Sequence, residues 1–150
     1  MALVRPYRVV VPAWRQRRDG HTGHDQVHVS AIRVGSRAVT TLILPYPPTV
    51  NHIYRRARGH LSLTPEALAF RHAVRLIAQV QNVQPISGPV AVFLDVYRPR
   101  KRGDLDNLLK AVLDALNGVA YGDDEQVTRI EANRYDDKRA PRVEVHVVPM

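Results

Sequence analysis

The sequence predicts an α/β fold of the α+β type, in which a single layer of helices packs on a mixed or antiparallel sheet. Within the 150-residue chain, four segments after residue 38 alternate apolar with polar residues, as strands do, and two segments carry apolar residues at helical spacing. These segments follow one another as strand, helix, strand, helix, strand, strand. Because each helix must bury its apolar stripe, the sheet is its natural partner.

The first strand is expected at 39–44, where the proline-rich turn 45–48 ends it. A basic loop is expected at 54–60. Thr64 is a good helix cap and Pro65 suits the first helical position, so the first helix is predicted to begin there and to reach about residue 82. Its predicted buried stripe consists of Leu68, Ala69, Ala73, Leu76, Ile77 and Val80.

The second half of the domain has the clearer alternation. A strand is predicted at 90–97 and a helix at 105–116, joined by a basic loop at 98–102. Asn117-Gly118 is typical of a left-handed helix cap. Two further strands, at 127–135 and 142–148, flank a polar turn. One face of the strand at 90–97 is predicted to be apolar and carries Val90, Val92, Leu94 and Val96.

Charge and composition restrict the partners. The chain has 22 basic and 14 acidic residues, a formal net charge of +8 and a pI near 10.4, which favours a phosphate-rich partner. With no cysteine, disulfides, thiol nucleophiles and cysteine-type zinc sites are excluded. No apolar run approaches the roughly 20 residues that span a bilayer, so we expect an intracellular protein with no membrane partner.

Residues 1–38 differ from the domain at 39–150, because they are basic and hold only one alternating stretch, 27–32. One hypothesis is a mobile basic extension that adds salt-dependent affinity for DNA. The other is that the natural protein begins at Val39, from an alternative start codon. Mass spectrometry of protein made from its native locus separates them, because peptides from residues 5–33 would contradict a start at Val39.

An acidic motif is the strongest functional signal. Asp104 and Asp106 lie two residues apart in extended chain, so their side chains project to the same side, and Lys110 follows one helical turn later. Asp124, before the next strand, completes a candidate cluster of three carboxylates. Carboxylate oxygens suit Mg²⁺ or Mn²⁺, and such a site activates water and neutralises charge at a phosphate. The alternative is a surface ladder of Asp106, Lys110 and Asp114 with an ordinary acidic turn at 123–124.

Three motifs together resemble a known family. Residues 103–117 read Gly-Asp-Leu-Asp-Asn-Leu-x-Lys-Ala-Val-x-Asp-Ala-Leu-Asn, and residues 123–127 read Asp-Asp-x-Gln-Val. Residues 44–51 read Leu-Pro-Tyr-Pro-Pro-x-x-Asn. From about residue 40 to its end, the chain is similar to the RusA-type Holliday junction resolvases.

The resemblance implies that Asp104, Asp106 and Asp124 bind the metal and that Lys110 is catalytic. It also implies a homodimer that depends on Mg²⁺ and cleaves branched DNA in recombination and repair. One position departs from the family, which commonly has proline or a basic residue where this chain has Gly103. Glycine is expected to loosen this loop and to make the metal geometry less preorganised.

Two basic segments are candidates for gripping phosphates, with Tyr54 available to stack on an exposed base. A solvated charge run is the alternative for either segment. The predicted DNA-binding residues are Arg55, Arg56, Arg58, Arg98, Arg100, Lys101, Arg102 and Asn107.

These observations lead to a specific functional hypothesis, a homodimeric metal-dependent endodeoxyribonuclease that resolves four-way junctions by paired cuts. A non-catalytic protein that binds branched DNA is the alternative. A nucleotide hydrolase is less favoured because the sequence has no phosphate-cradling glycine loop.

Overall fold

The computed structural model describes residues 33–34, 37–57, 59–101 and 103–150. Ten strands and helices lie in these ranges. The prediction of a strand at 27–32 and most of the basic extension fall outside them. The eight strands and two α-helices of the described ranges have these bounds: β1 Arg33–Val34, β2 Arg37–Ala38, β3 Thr40–Pro45, β4 Tyr54–Ala57, β5 His60–Leu63, α1 Pro65–Val80, β6 Val90–Arg98, α2 Asp106–Leu116, β7 Val127–Asp136 and β8 Arg142–Pro149.

The main sheet has four strands in the order β3-β8-β6-β7. β8 pairs antiparallel with both β3 and β6, whereas β6 and β7 are parallel, so the sheet is mixed, as predicted. The two helices and this sheet confirm the predicted α+β class. In the described part of the chain, no helix is long and apolar enough to cross a membrane.

The parallel pair determines where the two acidic segments lie. Val90 pairs with Val127 and Arg98 pairs with Asp136, so β6 and β7 begin at one end of the sheet and finish at the other. We refer to these as the Val90 end and the Arg98 end. Parallel neighbours need a crossover, and α2 provides it by running from the Arg98 end back to the Val90 end.

The core lies between the sheet and the two helices. The predicted apolar face of β6 is correct, because Val90, Val92, Leu94 and Val96 are fully or almost fully buried. Alternation with period two puts these side chains on one face of the sheet. They share one cluster with residues of both helices and of the neighbouring strands, including Leu42, Leu44, Phe70, Val74, Leu108, Val112, Leu116, Val143, Val145 and Val147.

Helix α1 begins as predicted but buries a different stripe. The Thr64 hydroxyl accepts a hydrogen bond from the Ala67 amide at 3.2 Å, and Pro65 is the first helical residue. Of the apolar residues noted at helical spacing, Leu68, Leu76 and Val80 are 53%, 47% and 82% exposed, while Ile77 packs against the core. Apolar residues occur on more than one side of this helix, so their spacing alone is compatible with two buried stripes. The stripe that packs in the core is the one that contains Phe70. The buried residues are Ala67, Phe70, Val74 and Ala78.

The segment predicted as a basic loop at 54–60 is instead part of a hairpin of β4 and β5, in which Tyr54 pairs with Leu63. Gly59 in its turn has φ of +80°, which glycine adopts at little cost. Ile53 at the base of the hairpin packs against Ala67 of α1 and Ala111 of α2. This contact attaches the hairpin to the middle of α2, next to Lys110.

Candidate active site

Asp104 and Asp106 lie at the Arg98 end of the sheet, where the chain leaves β6 and starts α2. Asp106 is the first residue of the helix, and Leu105 precedes it with no side-chain cap. A carboxylate in the first turn is favoured by the helix dipole. Both carboxylates are exposed, and no residue of the described ranges makes a hydrogen bond or ion pair with them. Their oxygens are therefore available to a ligand.

Lys110 lies one turn further along α2 and points towards the end of the helix. Its Nζ is 3.2 Å from Asp114 Oδ1, and Arg71 approaches the other oxygen of Asp114 at 3.5 Å. One step of the alternative surface ladder, from Lys110 to Asp114, is thus present, while Asp106 takes no part in it. The lysine side chain is 52% exposed, and an exposed ion pair of this kind contributes about 0.5 kcal/mol or less. Lys110 can exchange Asp114 for a phosphate at little cost.

Asp124 lies at the opposite, Val90 end. It opens a 3-10 turn, Asp124–Gln126, that is capped by Asp123 and leads directly into β7. Its carboxylate is exposed, and its charge acts on the hydroxyl of Tyr121. The Tyr121 hydroxyl donates to the Leu113 carbonyl at 3.0 Å. Burial raises the pKa of Tyr121, and the charges of Asp124 and Asp114 raise it further.

Asp124 is therefore separated from the other two aspartates by the length of α2. Asp106 and Asp114 differ by eight residues, which corresponds to about 12 Å of helix rise, and Asp124 follows the end of α2 at the Val90 end of the sheet. A metal ion needs its oxygen ligands within about 2.6 Å. Among the described residues, no three His, Asp or Glu side chains are close enough to hold one ion. One subunit brings Asp104 and Asp106 into a single short segment and leaves Asp124 apart.

Arg98 does not have the position predicted for a DNA-binding residue. It is 5% exposed, donates to the Gly103 carbonyl at 3.1 Å and pairs with Asp136 at 3.0 Å. The sequence grouped it with its basic neighbours because nothing local shows that the last residue of β6 turns inward. Its observed contacts hold the loop immediately before Asp104. Gly103 has φ of +94°, so glycine suits this position, and its carbonyl is secured rather than loose.

The other basic residues are better placed for contact with a polyanion. Arg55 and Arg56 are exposed on β4, and Arg100 and Lys101 are exposed in the loop after β6. Asn107 is partly buried in the first turn of α2. Arg100, Lys101 and Asn107 are within four residues of Asp104 in the chain, and β4 is joined to α2 through the packing of Ile53 against Ala111. The predicted DNA-binding residues Arg58 and Arg102 lie outside the described residues.

Gln126 was quoted in the sequence motif but was given no role there. Its side chain accepts from the Gly122 and Asp123 amides and donates to the Ile86 and Gly88 carbonyls. The available signal was its position three residues after Asp123, the spacing of a capping box. Sequence spacing could identify the cap but not the two carbonyls from a distant segment.

Comparison with known proteins gives one consistent family. The family model described as Endodeoxyribonuclease RusA matches residues 45–148. Crossover junction endodeoxyribonuclease RusA of Escherichia coli (strain K12) is 33% identical over 113 residues, which cover 73% of this chain and 94% of that protein. The protein of the same name from Shigella sonnei (strain Ss046) gives the same figures. The one from Enterobacteria phage 82 is 32% identical over 112 residues, covering 73% of this chain and 93% of that protein.

The different environments of Arg56 and Arg98 predict different effects of their loss. We expect Arg56→Ala to weaken DNA binding and to lower the slope of log affinity against log salt by about 0.9 for each phosphate contact removed. Arg98→Met should leave that slope unchanged and lower the free energy of unfolding by about 2 kcal/mol, because charged hydrogen bonds are lost. Fluorescence anisotropy at several KCl concentrations in EDTA, with thermal unfolding, measures both. A reduced slope for Arg98→Met would show that it contacts DNA after all.

Proposed function

Because the chain belongs to the RusA family of endodeoxyribonucleases, we propose that it resolves four-way DNA junctions by paired, metal-dependent hydrolysis of phosphodiester bonds. The observation that carries the proposal is the pair of exposed carboxylates of Asp104 and Asp106. They have no hydrogen-bond or ion-pair partner among the described residues, in a chain of net charge +8. A polyanion is attracted to such a surface, while free carboxylates at its centre would repel it. A bound cation resolves that conflict.

The donor set fits a divalent cation of the Mg²⁺ or Mn²⁺ type. Such ions prefer carboxylate oxygens and keep several of their waters, so an exposed site suits them. What a bound ion supplies there is a more acidic water and neutralisation of charge at the phosphate. Asp104 and Asp106 would hold it. Lys110, released from Asp114, would place a positive charge beside the phosphate, and the exposed arginines of β4 would hold the DNA backbone nearby.

The third carboxylate supports a homodimer with shared sites. A two-fold axis perpendicular to the strands exchanges the two ends of the sheet, so it can bring the partner's Asp124 to Asp104 and Asp106. The outer edge of β7 offers a surface for this, because the main sheet of the described residues ends there and Ile130 is 47% exposed. Each dimer would then hold two equivalent sites, one for each strand that a resolvase cuts.

The catalytic role of Asp106 is tested by separating binding from cutting. We expect Asp106→Asn to bind a labelled synthetic four-way junction with wild-type affinity and to yield no cleaved product in Mg²⁺, because an oxygen ligand with its charge is lost. Wild-type protein in EDTA should behave in the same way. Gel shift and denaturing electrophoresis measure the two properties.

Glu66→Gln is a matched control, since Glu66 is an exposed acid in the first turn of α1, and it should cut normally. Unchanged cutting by Asp106→Asn would remove this residue from the site. A wild-type protein that binds the junction and leaves it intact in both Mg²⁺ and Mn²⁺ would identify a non-catalytic binder.

Shared sites predict that two inactive variants complement one another. Asp106→Asn and Asp124→Asn homodimers should both be inactive. A mixed dimer should regain one intact site, made of Asp106 from one subunit and Asp124 from the other, and should nick one strand of the junction. Co-expression with two different affinity tags gives the mixed dimer, and denaturing electrophoresis gives the product.

Mixing Asp106→Asn with Lys110→Ala, both on the same side of the site, is the contrasting case. If Lys110 acts in the same subunit as Asp106, each of the two sites carries one of the changes and the mixed dimer stays inactive. Nicking would be regained only if Lys110 acted across the interface, on the partner's Asp106. Glu125→Gln, an exposed acid beside Asp124, is the control that should be active alone. A purified mixed dimer of Asp106→Asn and Asp124→Asn without nicking activity would refute sharing across subunits.

A further inference from the structure

The side chain of Gln126 uses its full hydrogen-bonding capacity. Its Oε1 accepts from the Gly122 amide at 2.7 Å and from the Asp123 amide at 2.9 Å. Its Nε2 donates to the Ile86 carbonyl at 2.9 Å and to the Gly88 carbonyl at 2.7 Å. A carboxamide has two donor hydrogens and two acceptor lone pairs, so all four are satisfied.

These four bonds connect two segments that are far apart in the sequence. Gly122 and Asp123 immediately precede Asp124, whereas Ile86 and Gly88 lie in the connection between α1 and β6. The same two segments are joined by the Ile86 amide, which donates to the Ala120 carbonyl at 2.9 Å. A Cβ atom on residue 122 would be 3.1 Å from Gln126 Oε1, so glycine allows this close approach. The backbone on both sides of Asp124 is therefore held, through these hydrogen bonds, to the segment that leads into β6.

The carboxylate of Asp124, in contrast, projects from this rigid backbone without support. It is exposed, and within the described ranges no hydrogen bond or ion pair holds it. Where it points is therefore determined by the backbone of the 3-10 turn. Metal ligation tolerates only a few tenths of an ångström in the oxygen position. A small displacement of the turn would thus reduce metal affinity while leaving the hydrophobic core intact.

We propose that Gln126 is a positioning residue that holds Asp124 in place for metal binding. The inference rests on the proposed function, because it assumes that Asp124 is a metal ligand. Glutamine is the residue type that the geometry requires. Glutamate would set a negatively charged oxygen against the Ile86 and Gly88 carbonyls, and asparagine is one methylene too short to span the two segments. Methionine has a similar length but makes none of the four bonds.

Three measurements on Gln126→Met and Gln126→Glu test the proposal. The first is amide hydrogen exchange of Gly122 and Asp123, which should become faster in Gln126→Met because their acceptor is lost. The second is calorimetric titration of the DNA-free protein with Mn²⁺, in which the dissociation constant should rise by about tenfold or more. The third is cleavage, in which the metal concentration for half-maximal rate should rise by a similar factor and the rate should recover at saturating Mn²⁺.

The control is Gln84→Glu, because Gln84 is exposed in the same connection and carries the same change of charge. It should match the wild type in all three measurements, and all variants should bind the junction equally in EDTA. A merely structural role predicts a lower melting temperature with an unchanged metal requirement, and that result in a folded variant would overturn the proposal. Because Gln126→Glu keeps the size of the side chain, it provides a folded protein if Gln126→Met does not.

Asp124→Asn separates this proposal from the one on which it rests. If Asp124→Asn binds Mn²⁺ and cleaves as the wild type does, Asp124 is not a ligand and both proposals are wrong. If Asp124→Asn is inactive while both Gln126 variants keep the wild-type metal requirement, only the role of Gln126 is refuted.

Discussion

The parallel pairing of β6 with β7 is the constraint on which the arrangement of the candidate site depends. Parallel neighbours cannot be joined by a tight turn, so the chain must cross from one end of the sheet to the other. α2 makes this crossing and buries Leu108, Val112 and Leu116 against the sheet as it does so. Asp104 and Asp106, just before the crossing, are therefore placed at the Arg98 end, and Asp124, just after it, at the Val90 end.

The acidic side chains fall into two groups according to their partners. Asp114, Asp136, Asp137 and Glu144 are each matched by a nearby arginine or lysine. Asp137 also accepts from the Arg139 and Ala140 amides, and these bonds together with Arg142 lower its pKa. Asp104, Asp106 and Asp124 have no such partners among the described residues. In the proposed function, a bound cation supplies the counter-charge that these three carboxylates do not receive from the described residues.

Sequence alone predicted those parts of the fold that depend on neighbouring residues. The cap at Thr64, the start at Pro65, the alternation along β6 and the bounds of α2 follow from local periodicity and turn chemistry, and all are correct. Residues that depend on distant partners were less predictable. In the sequence, Arg98 looks like one more basic residue, and only the structure shows its contacts with Asp136 and Gly103. The two possible apolar stripes of α1 differ only in which one packs against the rest of the core, and the sequence of the helix does not contain that information.

For the candidate site, the sequence predicted a set of residues and their chemistry, but it did not predict how the fold distributes them. The motif predicts the three aspartates and the lysine, because their residue types and spacing can be recognised in the sequence alone. Their separation by α2 follows from strand order, which the motif does not contain. The separation also has an energetic consequence. In one subunit, Asp124 is too far from Asp104 and Asp106 to repel them strongly across water, so folding does not have to oppose that repulsion. In the proposed dimer, that repulsion would arise when two subunits bring their opposite ends together, and a cation that offsets it would be part of the interface. Metal binding and subunit association are therefore expected to strengthen one another.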